Sequence, residues 1–99
     1  MNIVLVCAAG MSTSLLVSKM QQAAAAAGEE ATIAAYPISE IGKYGADADV
    51  IMLGPQVRFN LKTVQESFPD KPITVIEMRD YGTMNGEKVF ATAKALIKG

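Results

Sequence analysis

Residues Asn2 to Ser14 read NIVLVCAAGMSTS. The run Ile3-Val4-Leu5-Val6 is apolar without alternation and rich in β-branched residues. A strand with one wet face alternates, whereas a strand covered on both faces reads as this one does. At its end stand the only cysteine of the chain, the small residues Ala8, Ala9 and Gly10, and the hydroxyls of Ser12, Thr13 and Ser14. A buried structural cysteine needs none of that company. The stretch therefore asks which sheet accepts such a strand and what the loop after it does.

The flanking pattern answers the first question. After the loop, Leu16, Met20, Ala23 and Ala27 recur at helical spacing, and Gly28 is placed to end the helix. Residues 31–36 (ATIAAY) predict a second strand, stopped by Pro37. Ser39 to Lys43 reads as a short helix with Ser39 as N-cap. Val50–Leu53 is a third apolar strand, ended by Gly54-Pro55. Val57, Leu61, Val64 and Phe68 predict an amphipathic helix with Pro55 near its first turn. Ile73–Ile76 reads as a fourth strand and residues 79–86 (RDYGTMNG) as a loop. A last helix takes Asn85 as N-cap and turns Val89, Ala93 and Leu96 inward.

Strands and helices alternating in this way demand right-handed crossovers and a parallel sheet covered on both faces. The expectation is one α/β domain over residues 1–99. It has three layers, with a four-stranded parallel sheet in the order 2-1-3-4 and helices on both faces. In that order the sheet reverses direction between strands 1 and 3. Ligands of open α/β sheets bind beyond the carboxyl ends of the strands at such a point. The two loops that meet there are VCAAGMSTS (6–14) and LGPQV (53–57).

Composition narrows the chemistry. Ninety-nine residues hold one core and not two. A net charge of −1 lacks the basic excess that nucleic acid requires. No apolar run approaches the ~20 residues of a membrane span, and the first residues lack the charged flank of a signal peptide. A lone cysteine cannot form an internal disulfide, which suits a reducing compartment. The expectation is a cytoplasmic monomer. The absence of histidine is more telling. It excludes Cys–His and Ser–His–Asp catalysis and a phosphohistidine on this polypeptide, and it removes the commonest zinc ligand. Neither metal nor cofactor is expected.

With Cys7 at the carboxyl end of strand 1 and Ser12–Ser14 opening the first helix, the amides of Ala8 to Ser14 can curl around a point above the sulfur. Backbone N–H groups at a helix N-terminus bind anions and favour a thiolate. Gly10 permits a positive φ where the curl needs one. Ala8 and Ala9 keep side chains short where a phosphate approaches. Met11 at the tip either meets a partner or folds inward. The hydroxyls of Ser12, Thr13 and Ser14 can donate to a phosphate or cap the helix. Cys7 is then a nucleophile in a phosphate-binding loop. The competing reading is a packed cysteine before an ordinarily capped helix.

Two phosphate chemistries use such a cysteine. Tyrosine-phosphatase-like hydrolysis needs C-x5-R, with the arginine clamping the transferring group. Counting from Cys7, that place is held by Thr13. Asp80 is the candidate general acid of such an enzyme. Without the arginine, attack by water is slow, which suits a carrier that delivers its phosphate to another acceptor. A non-enzymatic anion-sensing module is the third possibility. Arg79, Asp80 and Tyr81 fall near the same rim but read as an ordinary surface turn. Gln56, Arg58 and Phe59 read as solvated helix residues.

CAAGMSTSLLVSKM (7–20), LGPQV (53–57) and YGTMNG (81–86) together closely resemble the enzyme IIB subunit of the lactose/cellobiose/chitobiose family of the phosphoenolpyruvate-dependent sugar phosphotransferase system. The resemblance spans essentially the whole chain and is strongest to the cellobiose/diacetylchitobiose branch. It implies a fold like that of the low-molecular-weight tyrosine phosphatases. It further implies that Cys7 accepts a phosphoryl group from a histidine of a IIA subunit. The group then passes to a β-linked disaccharide held by a membrane IIC subunit during uptake. The missing histidine agrees with this, because the donor imidazole belongs to the partner.

Overall fold

The computed structural model describes residues 1–8 and 13–98. Strands β1 (Asn2–Cys7), β2 (Thr32–Pro37), β3 (Val50–Leu53) and β4 (Ile73–Val75) form one parallel sheet in the order β2-β1-β3-β4. The helices are α1 (Thr13–Ala26), α2 (Ile41–Tyr44), α3 (Leu61–Ser67), α4 (Met78–Gly82) and α5 (Gly86–Lys98). The expected strand order and layering are present.

Every residue of β1 from Ile3 to Cys7 is buried, as its unbroken apolar run requires. Ile3 and Leu5 pack with Leu16, Met20 and Ala24 of α1 and with Val89, Phe90 and Ala93 of α5. Val4 and Val6 point the other way, into a second cluster with Ile51, Leu53, Val57 and Val64. By the same alternation Cys7 shares the face of Ile3 and Leu5, the face that α1 covers.

Helix α1 buries Leu16, Met20 and Ala24, whereas Ala27 is exposed. The chain has already left the helix there. Gly28 takes φ +70°, its N–H donates to the Ala25 carbonyl at 3.1 Å, and the Glu29 N–H donates to that of Ala24 at 2.9 Å. This is a Schellman ending with glycine at its left-handed position. Asn85 caps α5 as expected, its Oδ1 accepting the Lys88 N–H at 3.1 Å. Leu96 is only partly buried, and Phe90, which the periodicity did not single out, joins Val89 and Ala93 on the inner face.

Three local expectations are corrected. Ser39 is not an N-cap: extended Pro37 feeds straight into a 3-10 turn, Ile38–Glu40, so helical backbone already runs through Ser39 before α2 begins. The helix expected through Val57 and Phe68 is broken into a 3-10 segment, Pro55–Asn60, and α3. Val57 sits at φ −115°, ψ 21°, yet both Val57 and Val64 still reach the core. The segment 79–86 is not all loop, because α4 occupies its first half, 79–82. Helix α4 ends with the Asn85 N–H on the Asp80 carbonyl at 2.9 Å and with Met84 at φ 53°. Methionine holds a position that favours glycine, and its side chain packs against the core beneath α1 and α5.

Candidate active site

At the strand-order reversal the ladder between β1 and β3 continues one bond past the end of β3. The Gly54 N–H donates to the Val6 carbonyl at 2.7 Å, tying the exit of β3 to the end of β1. Cys7 stands one residue further along, paired with Pro37 of β2 and only 1% exposed. Its Sγ–H points to the Tyr36 carbonyl at 3.8 Å, a weak hydrogen bond. The Tyr36 ring in turn stacks on Tyr44, with ring centroids 3.7 Å apart and planes within 6°. The cysteine is thus held against the second strand rather than left loose at a loop.

Ala8 is exposed at the mouth of the loop. Ala9, Gly10, Met11 and Ser12 lie outside the described residues. Helix α1 starts at Thr13, runs fourteen residues and carries no acidic side chain in its first turn. Nothing negative in that turn competes with an anion for the helix's positive end. Ser14 is exposed, while Thr13 is 1% exposed.

Thr13 stands where a phosphatase would carry its arginine, and its hydroxyl has a partner that the sequence reading missed. Thr13 Oγ1 lies 3.1 Å from the Tyr81 hydroxyl. The Gln56 side-chain amide donates to the same phenol at 2.8 Å. Tyr81 is buried in α4 rather than displayed on a surface turn. A buried tyrosine requires a hydroxyl partner, so the aromatic of RDYG, leaving β4 at the carboxyl edge, was the available signal. The segments that follow β1, β3 and β4 therefore converge on one phenol. Gln56 belongs to this group. Arg58 instead bonds the Pro55 carbonyl at 2.9 Å and lies over the exposed Phe59 ring.

Asp80 takes no part in this convergence. It is buried and lines a cavity of about 100 Å³ behind β4 with Thr74, Glu77, Lys88 and Thr92. No described residue of the first loop lines that cavity. Arg79 is exposed. Among the described residues no group of three or more His, Cys, Asp or Glu side chains is placed to hold a metal. No helix among them is long and apolar enough to cross a membrane.

Comparison with known proteins bears on this arrangement. Residues 2–92 match the family "PTS system, Lactose/Cellobiose specific IIB subunit". The chain is 47% identical to the galactose-specific EIIB component of Lactococcus lactis subsp. cremoris (strain MG1363), over 96% of this chain and 94% of that protein. It is equally 47% identical, over the same shares, to the cellobiose-specific EIIB component of Lactococcus lactis subsp. lactis (strain IL1403). The oligo-beta-mannoside-specific EIIB component of Bacillus subtilis (strain 168) is 39% identical over 97% of this chain and 95% of its own length. Among solved structures, the cellobiose-specific phosphotransferase IIB component from Borrelia burgdorferi superposes with a TM-score of 0.82. It is 44% identical, covering 99% of this chain and 92% of that one. The lactose-specific IIB component domain from Streptococcus pneumoniae superposes at 0.86 with only 14% identity, over 97% of this chain and 96% of its own, and so speaks for the fold alone. The reversal-point cysteine, the histidine-free sequence and these matches have one reading: the chain belongs to the lactose/cellobiose-specific IIB family of sugar phosphotransferase components.

Proposed function

We propose that this chain is a phosphoryl carrier in which Cys7 takes a phosphoryl group from a IIA phosphohistidine and delivers it to a sugar on IIC. The observation that carries the reading is the place of Cys7. The one thiol of the sequence ends β1 at the strand-order reversal, on the face covered by the helix that its own loop opens.

In the first step the Cys7 sulfur attacks the donor's phosphorus. An S–P bond forms, the P–N bond breaks, and the electron pair stays with the imidazole, which ends protonated as the thiol proton is lost. In the second step a sugar hydroxyl oxygen attacks the same phosphorus. The S–P electron pair returns to sulfur, and the hydroxyl proton balances the restored thiol. The amides of Ala8 to Ser14, with the hydroxyls of Ser12, Thr13 and Ser14, hold the phosphoryl oxygens between the two steps. A helix N-terminus offers N–H groups to such a dianion.

Two further features support the reading. Leu15, Phe59 and Met78 are large exposed apolar side chains on the segments that leave β1, β3 and β4 at the carboxyl edge. Apolar groups exposed beside a reactive residue suit the docking of protein partners. Cellobiose and oligo-beta-mannosides, for which two of the relatives are named, are β-linked. The acceptor is accordingly a β-linked disaccharide of the cellobiose or diacetylchitobiose class, and the carrier works on the cytoplasmic side of the membrane that holds IIC.

The test is reconstitution. Purified protein, a phosphorylated IIA subunit and membranes containing IIC should convert cellobiose or diacetylchitobiose to its phosphate ester. Loss of that product with Cys7→Ser is expected; undiminished product with Cys7→Ser contradicts the reading.

A further inference from the structure

We infer that Tyr81 is a positioning residue for phosphoryl transfer, its phenol fixing the start of α1, and the amides there, against the exits of β3 and β4. The inference rests on the carrier reading above. Three observations carry it. Tyr81 is buried, and its hydroxyl meets Thr13 Oγ1, the first side chain of α1, at 3.1 Å. Gln56, from the segment after β3, donates to the same oxygen at 2.8 Å. Gly54 leaves the room that this amide occupies: a Cβ there would lie 2.6 Å from Gln56 Oε1, while its next contacts, the Val6 carbonyl oxygen at 3.4 Å and Tyr81 Cε2 at 3.7 Å, are ordinary.

The physical argument concerns alignment. Amides at a helix start stabilise a transferring phosphoryl group only where they are already aimed at it, because that stabilisation is steep in distance and orientation. The first turn of α1 has no side-chain carboxylate of its own to cap it. Tyr81 supplies a fixed point from another element. The phenol oxygen accepts from Gln56 and shares a hydrogen bond with Thr13 Oγ1 in which either hydroxyl can be the donor, so one group ties the two segments together. The role is positioning, since a residue that acts through Thr13 need not touch the phosphate.

The experiment is steady-state transfer from phosphorylated IIA, read as kcat and KM separately and as intact mass. Tyr81→Phe removes one oxygen and should lower kcat about tenfold with KM for IIA little changed. Thr13→Ser, which keeps the hydroxyl, should retain more of the rate than Thr13→Val. The double variant Tyr81→Phe/Thr13→Val should be no slower than the slower single variant, because both cut the same link. Gly54→Ala should reproduce the loss of Gln56→Ala by displacing the amide. Val64→Ala, buried on the opposite face of the sheet, is the control for destabilisation alone and should leave kcat near wild type. A wild-type kcat in Tyr81→Phe overturns the inference. An equal fall in Val64→Ala, or additive losses in the double variant, overturns it as well. Failure of the wild-type protein to gain phosphate on Cys7 instead removes the carrier reading and this inference with it.

Discussion

The sulfur of Cys7 lies 3.8 Å from the carbonyl oxygen of Tyr36, and the thiol it belongs to is 1% exposed. The thiol is sheltered against β2, with Tyr36 itself stacked on Tyr44. A sheltered thiol reacts more slowly with a bulky reagent than an exposed one. Alkylation of the native protein by a bulky maleimide should therefore be at least about tenfold slower than in urea. Equal rates in the two conditions contradict a buried Cys7.

Two glycines separate backbone strain from packing. Gly28 has φ +70° and open space around it. Gly28→Ala should cost only the left-handed penalty, about 1–2 kcal/mol, measured by urea denaturation. Gly86 is different: a Cβ there would come within 2.6 Å of the Met20 amide nitrogen, backbone that cannot turn aside. Gly86→Ala must part α5 from α1 and should cost about 1–3 kcal/mol or more, with NMR shift changes at Lys19 and Met20 that Gly28→Ala lacks.

What could be read from the chain and what could not divides by range. The apolar run of β1, the glycine ending α1 and the Asn85 cap are local, each written within a few neighbouring residues, and each is present. Ser39 misled because its cap pattern is also local, but extended Pro37, two positions earlier, already opens a 3-10 turn. Tyr81 could not be read in this way. Its role comes from Thr13, 68 positions away, and Gln56, 25 positions away. Tertiary contacts of that separation leave no spacing in the sequence. The place of Cys7 at the end of β1 was legible because an unbroken apolar run stops there against small residues and hydroxyls.

Phe59 is the most exposed large apolar side chain described, at 81%. It is a candidate contact for the phosphoryl donor. Phe59→Ser should raise KM for phosphorylated IIA about tenfold, the loss of a modest aromatic contact, with kcat and stability unchanged. A fall in kcat alone contradicts a docking role.

The carrier and phosphatase readings part at Thr13 and Asp80. A missing preorganised charge donor costs about 2.7–4 kcal/mol of transition-state stabilisation, or 100- to 1000-fold in rate. Asp80 faces a cavity behind β4 that no described residue of the first loop lines. Hydrolysis of p-nitrophenyl phosphate should be barely detectable and insensitive to Asp80→Asn. Brisk hydrolysis abolished by Asp80→Asn contradicts the carrier account.

The central claim is a covalent phosphocysteine, and one measurement addresses it directly. Wild-type protein incubated with phosphorylated IIA is analysed by intact mass, then by peptide mapping under conditions that preserve a thiophosphate. The account predicts one phosphoryl group, located on Cys7 and absent from Cys7→Ser of unchanged fold. Phosphate on Ser12, Thr13 or Ser14 of the wild-type chain, or no uptake at all, contradicts it.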